Sequence, residues 1–372
     1  MKKIFLLLIL VLFSLSGCLE EKKIKPSGKS IKIGLLAPLS RINRKYGYQS
    51  LIGIEFANRQ ERYLKNGDEI VFEIADTKSS PEGTKEALAY LRDKNVTAII
   101  SFVGSGNTLA IKKSLQKSTT PMIVTLATND EIVSINDSIA QICMSNQREA
   151  LVAAHFIKDE KFINSVGIVY DKTNVYSNSL AMQFQEYYKG IHGKDTFVLD
   201  FSQKNAIEQL KKENLKDVKM IFSTLRAQES AHVLKVLKPK HVKVLLSDGS
   251  ISSAKESAKN DLDYFNGAYI IEHYASNMKG NKDYKKLQKL LKKEELIDSS
   301  YAFLAYDAYQ LLLYALENCP KQEQKCINAL FQNSDVIEGI AGNFSMENGK
   351  VKRKIYIDKI ENLRLKKEIV TY

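Results

Sequence analysis

The sequence predicts an α/β protein built as two similar, parallel-rich units in succession. Three observations carry this. Apolar strand-length runs alternate with helix-spaced runs from residue 31 to 127. The same cycle restarts near residue 146. The chain has 372 residues, enough for two domains of ordinary size. Strands that alternate with helices pair in parallel, because each helical crossover returns the chain to the same end of the sheet.

In the first unit, "IKIGLLAPL" is a buried strand and "QSLIGIEFANRQERYL" a helix by its spacing. "EIVFEIAD" is a strand, and Pro81 opens the helix "PEGTKEALAYLRDK". "VTAIISFV" is a strand, "GNTLAIKKSLQKS" a helix and "PMIVTLA" a strand. Thr128, which follows, reads as the cap of a further helix. In the second unit the helices are "EALVAAHFIKDE", "SNSLAMQFQEYYKG", "AIEQLKKENLK" and "AQESAHVLKVLK". They are interleaved with the strands "SVGIVYD", "DTFVLDF", "VKMIFST", "VKVLLSD" and "FNGAYIIEHY". Two helices follow, "DYKKLQKLLKKEEL" and "SSYAFLAYDAYQLLLYALEN", and the tail from residue 342 reads as a turn and late strands.

Open parallel sheets bind ligands beyond the carboxyl ends of their strands. The residues at those ends are small and polar: Ser40, Asp76, Gly104-Ser105-Gly106-Asn107, Ala127-Thr128-Asn129, Asp171, Ser223-Thr224 and Asp248-Gly249-Ser250. Hydroxyls and N–H groups there suit a carboxylate, and they suit helix capping equally.

The N-terminus "MKKIFLLLILVLFSLSGC" has two lysines before an apolar core too short to span a bilayer as a mature helix. It predicts a signal peptide over 1–17, with "LSGC" as a lipobox and Cys18 as the lipidated residue. Residues 18–30 then form a polar tether. The implied location is the cell envelope, lipid-anchored and extracytoplasmic. In an exported protein, Cys319 and Cys326 predict a disulfide, and Cys143 is left as a buried thiol.

The formal charge is +12, but the basic residues are scattered beside acids, as on solvated helix faces, and no nucleic-acid signature accompanies them. The five histidines form no HExxH or close metal-ligand pair, and neither a G-x-S-x-G elbow nor a phosphate loop occurs. The sequence therefore predicts a binder rather than an enzyme, with no cofactor and no metal.

The ordered set "IKIGLLAPLS", "YGYQSLIGIEFA", "VGSGNT", "PMIVTLATND", "SVGIVYDKTNVYSNSLA", "YAFLAYDAYQLLLYALE" and "GNFSMENGK" resembles the type I periplasmic solute-binding proteins, specifically relatives of the Leu/Ile/Val-binding protein of ABC importers. The resemblance runs from about residue 31 to about 360. It implies two Rossmann-like lobes joined by three crossings, with a ligand in the cleft between them. Lobe one would take 31–145 plus 275–345, and lobe two 146–274 plus 346–372. The family site, carried over residue by residue, gives Ser105 and Thr128 to the ligand carboxylate. The Leu126 carbonyl and Thr128 hydroxyl go to its ammonium, and Asp248 neutralises that ammonium. Tyr46, Tyr176 and Tyr301 surround the pocket. Arg41, Arg44 and Leu225-Arg226 depart from the family pattern, as does an Asp rather than a Glu at 248. The expected function is capture of an amino acid, branched-chain-like or a related amide, by a monomeric lipoprotein for an ABC permease in the inner membrane. The alternative is a regulatory or scaffold lipoprotein of the same fold.

Overall fold

The computed structural model describes residues 24–159, 166–193, 196–213, 215–250, 261–274, 278–293, 300–319, 321–361 and 364–367. The signal peptide, Cys18 and the first part of the tether lie outside the described residues. The tether's last residues are not free. The Ser27 hydroxyl donates to Asp68 at 2.6 Å and its N–H donates to the Gly67 carbonyl at 2.9 Å, so this stretch lies along the 64–69 turn.

The first sheet is built from β1 (Ser30–Ala37), β2 (Glu69–Asp76), β3 (Ala98–Ser101), β4 (Met122–Val124) and β5 (Ile139–Gln141). Late strands complete it: β11 (Ile337–Gly339), β12 (Gly342–Glu347) and β13 (Lys350–Lys352), in the order β11-β12-β13-β5-β4-β3-β1-β2. Its helices are α1 (Arg44–Gln60), α2 (Pro81–Asp93), α3 (Ser105–Ala110) and α4 (Lys112–Leu115). The second sheet contains β6 (Val166–Tyr170), β7 (Phe197–Asp200), β8 (Met220–Ser223), β9 (Lys243–Leu246) and β10 (Tyr269–Glu272). With β14 (Tyr356–Glu361) and β15 (Arg364–Lys367) it runs β15-β14-β10-β9-β8-β6-β7. Its helices are α5 (Asn146–Asp159), α6 (Val175–His192), α7 (Ala206–Lys212) and α8 (Ala227–Leu237). The helices α9 (Tyr284–Lys293), α10 (Ser300–Asn318) and α11 (Gln324–Gln332) follow β10. The strands of β1–β5 and of β6–β10 all pair in parallel; antiparallel pairs come from the late strands.

Each lobe is thus an α/β sandwich with helices on both faces, as the alternation predicts. One core cluster joins Ile33, Ile100 and Ile123 to Leu304, Tyr309 and Phe344, so late residues complete the first lobe. Val169, Ile221 and Leu246 pack on one face of the second sheet, and Ile168, Phe222 and Leu245 on the other.

Three local expectations are corrected, and one helix is added. The single helix over 106–118 is two short helices, broken at Ile111. No helix follows Thr128: residues 130–134 form turns, so Thr128 caps nothing. The helix α11 was not expected. The lobe boundary at 346 moves: β12 pairs with β13, and β13 pairs with β5 through Lys350 and Gln141, so residues 346–352 belong to the first sheet.

The chain passes between the sheets at residues 142–145, after β10, and at 353–355. Polar bonds tie these crossings together. The Met144 N–H donates to His273 Nε2 at 3.0 Å. Arg148 donates to the Arg353 carbonyl at 2.6 Å. Arg353 pairs with Asp307 at 2.8 Å and lies over the Tyr274 ring, 5.1 Å from its centroid. The Tyr274 hydroxyl donates to Asp307, whose other oxygen accepts the Ile340 N–H at 2.7 Å. Among the described residues, no helix is long and apolar enough to cross a membrane.

Gly53 lets α1 lie directly on α10: a Cβ there would fall 2.0 Å from the Ala302 carbonyl oxygen. That contact brings the helix starts together, with the Tyr46 and Tyr301 rings edge to face at 5.0 Å. At the far end of α10, Cys319 and Cys326 form a disulfide with a sequence separation of 7. In the chain-entropy treatment so short a loop contributes about 2–3 kcal/mol. The C319A/C326A variant is expected to lose that much in equilibrium urea unfolding, with the fold retained by circular dichroism.

Candidate functional site

Parallel registers bring the strand ends of both sheets to one edge. Ser101 of β3 aligns with Val124 of β4, so the residues after each strand emerge side by side. Tyr170 of β6 and Leu246 of β9 end level with Asp200 and Ser223 in the second sheet. Between the two edges lies a cavity of about 340 Å³. This falls at the small end of ligand pockets, which span roughly 300–1,000 Å³.

Tyr46, Ser105, Leu126, Thr128, Tyr176, Asp248 and Tyr301 all line this cavity. Five come from the first lobe, and Tyr176 and Asp248 from the second. Of the other strand-end residues, Asp76 and Asp171 are used locally. Asp76 accepts the N–H groups of Leu39 and Lys78, and Asp171 accepts the N–H and hydroxyl of Thr173. Thr224 is buried against the Ser177 hydroxyl at 2.7 Å. Leu225 and Arg226 line the cavity, Arg226 as an exposed side chain; Arg41 and Arg44 do not line it.

Thr128 is 3% exposed, and its Oγ1 has no protein hydrogen-bond partner. Its backbone carbonyl accepts the Asn146 N–H at 2.8 Å, which ties the loop to the first crossing. A buried hydroxyl left unpaired is unfavourable, so this atom is open to a partner, water included, from the cavity that Thr128 lines. Ser105 differs: its Oγ already accepts the Asn129 N–H at 3.2 Å.

The opposite wall is acidic. The Tyr176 hydroxyl donates to Asp248 Oδ1 at 2.6 Å, and the Asp248 N–H donates to Glu149 Oε1 at 2.8 Å. Glu149 is fully buried. Burial, then the charge of Asp248, pushes its carboxyl well above the usual carboxylate range. Burial raises Asp248 as well. The Tyr176 hydroxyl is pushed well up by burial and then by the two carboxyls.

His273 Nδ1 lies 3.8 Å from Asp248 Oδ2, within ion-pair range. The pair is not ionic. His273 Nε2 accepts an amide proton and so carries a lone pair. Burial and the nearby Arg353 hold the ring neutral, its pKa drawn down to about 3.

Sequence reasoning missed Glu149, which opens α5 and reads there as an ordinary first-turn acid favoured by the helix dipole. The available signal was its spacing: Glu149, Ala153 and Phe156 share one helical face, and all three are buried.

The chain has the same fold as several solved structures. A leucine-binding protein, LivK, from Thermotoga maritima MSB8 is 21% identical, with a TM-score of 0.79 over 92% of this chain and 98% of that one. The branched-chain amino acid transporter substrate-binding protein LivJ from Streptococcus pneumoniae, in complex with isoleucine, is 18% identical, with a TM-score of 0.77 over 92% and 100%. A solute-binding protein of an ABC transporter from Rhodopseudomonas palustris HaA2, in complex with p-hydroxybenzoic acid, is 18% identical, with a TM-score of 0.78 over 92% and 97%. No curated protein matches the sequence. The family model for periplasmic binding proteins matches residues 30–364. With that match across most of its length and a lined cleft between two α/β lobes, the chain belongs to the type I periplasmic binding proteins.

Proposed function

We propose that this solute-binding protein captures an amino acid or a related amide in the interlobe cleft and presents it to an ABC permease. The observation that carries the reading is the buried, unpartnered Thr128 Oγ1, set in one cavity with the carboxyl of Asp248. A zwitterion needs both its charges met when it leaves water. Thr128 and Ser105 supply polar partners on the first lobe, with the Leu126 carbonyl beside them; Asp248 supplies the counter-charge on the second. Tyr46, Tyr176 and Tyr301 enclose the ligand. Closing the lobes on it gives contacts from both sides, and this differential contact favours the closed form.

Two of the similar structures hold different ligands, isoleucine and p-hydroxybenzoic acid. The buried acids here favour an amine-bearing ligand over a simple aromatic acid, whose carboxylate would meet like charge. Anchoring through a lipid on Cys18, with the protein working as a monomer outside the cytoplasm, completes the proposal and rests on the N-terminal sequence.

The test is a thermal-shift screen against the standard amino acids, their amides and hydroxybenzoates. A ligand at a hundred times its dissociation constant stabilises the fold by about 2.7 kcal/mol. Thr128→Val is expected to remove the response to the hit while leaving the ligand-free melting temperature unchanged or slightly raised, because the hydroxyl it deletes has no partner. A lowered ligand-free melting temperature with the response intact would make Thr128 structural. Silence across the panel would favour a regulatory or scaffold role for the same fold.

A further inference from the structure

We propose that Glu149 and Asp248 share one proton in the solute-free cleft and that the ligand's ammonium group displaces it, so that capture releases a proton. The inference rests on the amino-acid reading of the cleft and adds Glu149 to it as a positioning residue.

The geometry places two carboxyls together with too few donors. Glu149 Oε1 takes the Asp248 N–H at 2.8 Å. The Tyr176 hydroxyl has one proton and faces both acids, at 2.6 Å from Asp248 Oδ1 and 3.5 Å from Glu149 Oε2. No Lys or Arg forms an ion pair with either carboxyl among the described residues.

The titratable and charged groups around them do not fill the gap. His273, on the second crossing, is neutral, with its Nε2 committed to Met144, and its Nδ1–H lies 3.8 Å from Asp248 Oδ2, beyond hydrogen-bond reach. Cys143, on the first crossing, is a buried thiol held protonated by burial and by the charge of Asp248. Arg353, on the third crossing, is committed to Asp307. Arg148, beside Glu149 on α5, turns to the carbonyls of Val351 and Arg353. Arg226, at the cavity lining, is exposed to water.

Two bare carboxylates in such a place repel each other and lose hydration, and a shared proton removes the repulsion and one of the two desolvated charges. Burial acts in the same direction, pushing both carboxyls upward. The charge balance is simple. Before capture the pair carries one negative charge. An ammonium brings one positive charge, the proton leaves to solvent, and the pair becomes doubly ionised, so the acids and the ammonium together stay at minus one, while the ligand's carboxylate is met on the first lobe.

The protonation linkage fixes the sign. A proton released on binding makes affinity fall as pH falls, by tenfold per pH unit while the pair stays protonated in the free protein. The test is titration calorimetry at pH 7 in phosphate and in Tris, whose ionisation heats differ. The probe is L-leucine, or the screened amino acid with the largest melting shift if that differs. The wild-type protein is expected to release about one proton per ligand and to bind about tenfold more weakly at pH 6 than at pH 7. Glu149→Gln is expected to release none and to show a flat affinity profile over that range. Carboxyl carbon NMR of the solute-free protein gives an independent reading: one of the two acids stays protonated at pH 7. Binding without proton release, proton release retained in Glu149→Gln, or two ionised carboxyls in the free protein would each overturn the inference and leave the amino-acid reading standing. An absence of binding by any amino acid would overturn both.

Discussion

Arg353→Met is expected to destabilise the protein by about 3–5 kcal/mol, the range for a buried charge that loses its partner. Arg353 and Asp307 are 6% and 0% exposed, and their ion pair spans 2.8 Å. Asp307 already sits above the ordinary carboxylate range because of burial, with Arg353 pulling it back. Removing the guanidinium leaves that acid beside the apolar cores of α10 and β12, where it must take up a proton or draw in water. It also removes the cation lying over the Tyr274 and Phe344 rings. The Arg353→Met/Asp307→Asn double variant is expected to recover more than half the loss, because it removes the stranded charge and keeps an acceptor for the Ile340 N–H. Equilibrium urea unfolding of the single and double variants reads both effects. A loss below about 1 kcal/mol in the single variant would show that this crossing is held by backbone packing instead.

Asp248→Asn is expected to weaken amino-acid binding by about 2–4 kcal/mol, roughly 30- to 1,000-fold, as when one member of a buried charged pair is truncated. The substitution keeps an acceptor for the Tyr176 hydroxyl and the N–H that reaches Glu149, so the wall of the cleft stays in place. The ligand-free melting temperature should therefore stay close to wild type while the dissociation constant rises. The direction also discriminates between ligand classes. A carboxylate-only ligand such as a hydroxybenzoate would bind Asp248→Asn as well as or better than wild type, because a like charge has gone. Calorimetry with the best amino acid and with p-hydroxybenzoate separates the two outcomes.

Much of the architecture was legible because period is a local property. "IKIGLLAPL" and "VKVLLSD" declare strands through branched apolar runs, and "KEALAYL" declares a helix through its spacing. Local chemistry failed at Thr128, where "TNDEI" carries cap-like residues but the chain goes on in turns. It failed again at 106–118, where the helical pattern hides a break. The family resemblance named seven residues, six with polar side chains and Leu126 for its carbonyl, and all seven line one cavity. Residues whose meaning depends on distant partners stayed hidden. Arg353 reads as one more base in "KVKRK" until the fold sets it 46 positions away from its partner Asp307 in sequence. Glu149 reads as a helix-opening acid until Asp248, 99 positions away, arrives beside it. Burial and charge pairing at such separations leave no periodic trace.

The third crossing couples the closure of the two sheets. Only residues 353–355 separate β13, which closes against β5, from β14, which closes against β10. Both sheets therefore keep an uncovered edge on β5 and on β10 until residues 350–361 are in place, and both lose that edge within a few residues of each other. A product cut short before residue 350 would display two bare strand edges at once, the kind of surface that sticks to other chains and draws proteases. A single short stretch thus covers an open strand edge in each of the two sheets.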